Sequence, residues 1–198
     1  KTAYEIYQCD WSSDVCSSDL EEDSTEVKSI LSTIYLNGTE LEQQLKDSRL
    51  SKKERIKIAD SVLQNHNDFY PPIVFAASRV MYTDAERPLD ACFLFYLAQV
   101  RTKVDVNLNA DSSVYKTYIS LSKVYNVAIN NFSRANRDST ISIVQRVLDI
   151  VDNNLGNYDH RWLAFHSSKI VRTKDKSILT ENDIIKPKET WTSIKNST

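Results

Sequence analysis

An all-α fold, a single helical bundle of about six or seven helices, is predicted by three features of this 198-residue sequence. Glycine is nearly absent, with Gly38 and Gly156 the only two. Sheet-rich folds consume glycine in tight turns, whereas helices need it only at an occasional C-cap. Apolar residues recur at i, i+3, i+4 and i+7, and capping residues and prolines bracket those runs.

Taken in order, Val27, Ile30, Leu31 and Ile34 form one stripe that Asn37-Gly38 ends. Ser51-Lys-Lys-Glu54 reads as a capping box, followed by the stripe Ile56, Ala59, Val62 and Leu63. Tyr70 precedes a proline and must be extended, so a helix opens near Pro72 and runs to about Thr83. Asp84-Ala85-Glu86-Arg87 turns it into a second helix, from about Pro88 past Arg101. Asp111 or Ser112 caps a long helix carrying Val114, Tyr118, Leu121, Tyr125, Ala128 and Phe132. Asp138 starts another, with Ile141, Val144, Leu148 and Val151 expected inward. A helix around Trp162, a Lys/Asp-rich linker at 172–176 and a short ending near Trp191 complete the chain.

Residues 1–20 resemble a translated sequencing adapter. Back-translation of Lys1–Ile6 and Asp10–Leu20 gives its two constant segments in one frame, separated by a barcode-sized gap. The expectation is an artefactual leader outside the fold, then one domain over 21–198 with its core at 71–172 and a tail at 173–198. Setting the leader aside moves the net charge from -2 to about +1 and leaves Cys92 as the single thiol. Neither charge suits a nucleic-acid surface, which needs a concentrated basic face. No disulfide framework, thiolate metal site or phosphate-cradling glycine loop can be written, so no cofactor and no metal are expected. The longest apolar run, Cys92–Ala98, is far short of the ~20 residues of a transmembrane helix.

Two stretches carry the functional expectations. The helical hairpin at 72–104 is tetratricopeptide-like: Phe75, Tyr82, Ala91 and Phe95 fall at the Trp, Tyr, Ala and Phe positions of that repeat. No second copy follows, which favours an ordinary antiparallel pair. Within it, Gln99, Arg101 and Asp105 stand out, and Arg101 and Asp105 at i, i+4 suggest an exposed ion pair. The alternative sets Arg101 at a groove mouth, where its fork would grip a carboxylate or phosphate. The second stretch, Asn157–His166, clusters Asp159, His160, Arg161 and His166. On an α-helix His160 and His166 diverge by about 240°, too far to share a metal. His66 stands in a polar turn and reads as solvated.

Both stretches resemble a family of bacterial helical proteins marked by phrases like FWFYAGQLR and YDHRWINLHG. The corresponding residues here are Phe93–Arg101 and Tyr158–His166, with Ser167 where the second phrase has glycine. The resemblance implies a helical domain and no particular activity. The expected function is therefore a scaffold that binds a protein or peptide. The competing expectation is a small-ligand-binding protein or enzyme, centred on Arg101 and His160. Convergence of Gln99, Arg101 and His160 in one concavity would favour the latter.

Overall fold

The computed structural model describes residues 40–173 and 179–196. The leader, the stripe at 27–34 and most of the expected linker lie outside the described residues. Helices dominate what is described, and the single β-like feature there is an isolated antiparallel bridge between Asn109 and Ile185.

Helix α1 covers 40–46, and α2 covers Lys52–Gln64. The Ser51–Glu54 capping box forms as expected, satisfying amides that the first turn leaves unpaired. Helix α3 spans Pro71–Thr83, with both prolines in its first turn, where a missing N–H costs nothing. The turn Asp84–Arg87 needs a left-handed residue, and Glu86 supplies it at φ 56°. Arg55 of α2 donates to Asp84 at 2.8 Å, fixing this turn to α2.

Helix α4, Pro88–Leu108, is the centre of the molecule. Apolar side chains around its full circumference are buried, because α3, α5 and α6 pack on different sides of it. Ala91 and Ala98 are fully buried small residues, which lets the partner helices approach closely. Phe75 stacks on Tyr125 at 5.4 Å and meets Phe95 edge-on at 5.6 Å, joining α3, α4 and α5. Leu97 is also fully buried.

Asp111 caps a short 3₁₀ turn, Ser112–Val114, that continues as α5, Tyr115–Ala135. Helix α6, Arg137–Asn153, buries Val151 as expected, but its other buried residue is Val147 rather than Ile141, Val144 or Leu148. Ile141 and Leu148 are 58% and 42% exposed. The apolar residues of α6 are spread too widely for one face, and the stripe through Val147 and Val151 is the one turned towards α4.

The segment around Trp162 is a seven-residue 3₁₀ helix, His160–His166, rather than an α-helix. The divergence of about 240° expected for an α-helix therefore does not apply to His160 and His166. They remain two turns, ~12 Å, apart along the axis. Short helices α7 (Ser168–Arg172), α8 (Glu181–Ile184) and α9 (Trp191–Asn196) close the described chain. No helix among the described residues is long and apolar enough to cross a membrane.

Candidate functional site

Arg101 and Asp105 sit one turn apart on α4, and the expected exposed ion pair does not exist. Arg101 is 1% exposed and Asp105 0%, and each is committed to other partners. A buried carboxylate requires donors, and Asp105 gathers three, two from the 3₁₀ helix and one from the loop just before it. Tyr158 Oη donates to Oδ2 at 2.9 Å, Trp162 Nε1 donates to Oδ2 at 2.6 Å, and His160 Nδ1 meets Oδ1 at 2.7 Å. Burial, then the adjacent carboxylate, pushes the Tyr158 phenol well above its ordinary pKa, so its proton stays in place.

Arg101 lies beneath this group. Its Nη1 donates to the His66 carbonyl at 2.7 Å, its Nη2 to Asn67 Oδ1, and its guanidinium lies 5.9 Å from the Tyr158 ring centre. Its Nε is buried without a hydrogen-bond partner. Burial lowers its pKa from the ordinary guanidinium value. The fork expected to hold a ligand anion is thus spent on the turn at His66–Asp68. That turn in turn holds the loop before Tyr158, through Asn157 N to the Asn67 carbonyl and Asn157 Nδ2 to Asp68. His66 is not simply solvated: it packs edge-on against Phe93 at 5.4 Å, and burial, with Arg101 nearby, lowers its pKa.

Gly156 is required in this loop. Its φ is 121°, and an added Cβ would fall 2.4 Å from the Tyr158 ring.

Above His160 opens a cleft of about 890 Å³, walled by the 156–161 turn on one side and by residues between Glu181 and Trp191 on the other. Trp191 meets the His160 ring edge-on at 5.5 Å and donates its indole N–H to the Lys186 carbonyl at 2.8 Å. At the rim Asp159 caps the 3₁₀ helix and takes Arg161 bidentately through Nε and Nη2. Burial raises the pKa of Asp159, the bonds from Arg161 lower it by more, and the net shift is downward. The second wall is held by the bridge at Asn109, with Lys186 N donating to the Leu108 carbonyl at 2.8 Å.

Of the seven residues singled out by sequence, Asp105 and His160 touch, Arg101 supports them, and Asp159 and Arg161 form the rim. Gln99 is half-buried and stands 200° around α4 from Arg101, outside this group. His166 packs edge-on to Trp162 at 6.5 Å, and burial lowers its pKa to about 4. Sequence reasoning missed Tyr158 as a donor and the entire far wall. The Trp162 indole and the Tyr158 phenol were legible as polar-tipped aromatics in need of partners once buried. Nothing local pointed to Trp191 as their neighbour.

Among the described residues no group of three or more His, Cys, Asp or Glu has the placement to hold a metal ion. The chemistry on offer is hydrogen bonding. Asp105 accepts at Nδ1, so in the neutral ring that nitrogen carries the proton and Nε2 is the acceptor. His160 lines the cleft, and the hydrogen bond found for its ring among the described residues is the one at Nδ1. Comparison with protein-family models, curated proteins and solved structures finds no match to this chain.

Proposed function

We propose that this chain is a binding protein whose recognition site is the cleft above His160, sized for a small ligand or the end of a peptide. One observation carries this reading: a fully buried carboxylate fixes, through Nδ1, an imidazole that lines a concave, partly aromatic space. A cleft of a few hundred to about a thousand Å³ with a few fixed polar groups is the usual form of a ligand site. No Ser or Cys lines this cleft, which favours binding over nucleophilic catalysis. Of the two phrases resembling the bacterial family, the second supplies the His160 turn that lines the cleft and the first supplies Arg101 beneath it.

The test is a fragment screen by NMR on labelled protein. Ligands should perturb the Trp191 indole signal and the amides of 158–161, and Trp191→Ala should weaken them. Hits that consistently map elsewhere overturn the reading.

A protein-interaction scaffold is the second reading, favoured by the exposed pair Ile141 and Leu148, two turns apart on α6 with Val144 between them. The tetratricopeptide-like pattern at 72–104 belongs to this reading, but most apolar side chains of α4 are buried, and the exposed apolar pair lies on α6. A photocrosslinker at Ile141 should trap one defined protein, and Leu148→Glu should abolish that product.

A further inference from the structure

We infer that the ligand of the cleft is an uncharged polyhydroxyl molecule, of sugar chemistry, with one hydroxyl donating to His160 Nε2. This deepens the cleft reading and rests on it. Three features select the class.

The charges lining the cleft cancel. Asp159, Glu181 and Glu189 face Arg161, Lys186 and Lys188. Much of that charge is already engaged: Arg161 lies on Asp159 and 3.6 Å from Glu181, and Lys186 Nζ donates to the Asn107 carbonyl at 2.6 Å. A cleft without net field draws neither an anion nor a cation, yet it still offers fixed donors and acceptors.

The aromatic walls have spent their polar edges. Tyr158 Oη is given to Asp105, and the Trp191 indole N–H to the Lys186 carbonyl. Tyr158 is nearly buried, so Trp191 is the ring that presents carbon surface to a ligand, which suits the C–H face of a sugar ring. His160 Nε2 is the acceptor at the floor, and a hydroxyl can donate to it while accepting from a rim N–H.

Asp105 makes the idea separable from its rivals. Its Oδ2 takes Tyr158 and Trp162, and its Oδ1 takes His160. Asp105→Asn can keep an oxygen for the first two and turn its NH₂ towards Nδ1, which moves the imidazole proton to Nε2. A hydroxyl then turns round and accepts, whereas a donor-only ammonium group is expelled.

The experiment titrates labelled protein with maltose, cellobiose, triglycine and inorganic phosphate. A disaccharide should shift the Trp191 indole and 158–161 amide signals. His160→Phe should weaken it about tenfold, the loss of one hydrogen bond, and Asp105→Asn by less than that. If His160→Phe fails to fold, Trp191→Ala at the half-buried end of the chain gives the same reading. Shifts at these residues with triglycine or phosphate, and with neither sugar, overturn the polyhydroxyl class and leave the cleft as the site. Silence at the cleft with every probe, or sugar shifts confined to another surface, overturns both.

Discussion

Asp105 and Asp111 stand six residues apart and fasten the two ends of one stretch of chain, yet they recruit opposite kinds of donor. Asp105 takes three aromatic side chains: a phenol, an imidazole and an indole. Asp111 takes the amides of Ser113 and Lys169 and the Ser167 hydroxyl at 2.9, 2.9 and 2.6 Å. Backbone amides end where they bind, so Asp111 is architecture. Ser167, where the bacterial phrase has glycine, is part of that fastening. Aromatic donors have another edge or face, so Asp105 transmits its position through His160 to the cleft. The same carboxylate chemistry thus produces a joint at one end and a site at the other.

Substitution at each end can break this comparison. Asp105→Ala should be the most damaging, costing about 3–5 kcal/mol in urea denaturation, because it strands the Tyr158 and Trp162 donors in the interior. A loss no larger than that of Asp111→Ala would remove the distinction. His166, at the far end of the same 3₁₀ helix, comes next. Its folded pKa of about 4 lies below the ordinary 6.5, so the folded state binds fewer protons than the unfolded one between those values. Stability should fall as pH drops from 6.5 towards 4, and His166→Phe should flatten that slope by about 1–3 kcal/mol.

Asp111→Ala should cost about 1–2 kcal/mol, the scale of a lost cap. Burial raises the Asp111 pKa, the Ser167 hydroxyl and the two amides outweigh it, and the folded value lies below 3.8. Its contribution is therefore present above pH 3.8 and fades as pH falls through the folded value. The gap between wild type and variant should close in acid. Tyr158→Phe is the mildest, about 1 kcal/mol, since Asp105 keeps two donors. A larger loss would show that the phenol also positions Arg101.

Much of the frame was legible locally. The Ser51 box, the Pro-led starts of α3 and α4, and the Asp111 cap all formed, because each acts within one turn of the chain. The misreadings have a common cause. Ile141 and Leu148 share helical spacing with buried residues, but periodicity marks a stripe without saying which neighbour covers it. Arg101 and Asp105 looked like a solvent-facing pair because i, i+4 spacing is silent about burial. The 3₁₀ segment His160–His166 reads locally as α-helical, and its ties to Asp105, through His160 and Trp162, reach outside the segment.

The sequence by itself determined a helical chain, its caps and its turns, since those depend on propensities and bonds reaching three or four residues. The tertiary structure alone decided that Asp105 is a buried hub and that His160 opens into a cleft. Its donors come from 53 to 57 residues away and the cleft's far wall from beyond residue 180. A buried polar group is defined by whatever closes over it, and that closure is a property of packing at long range.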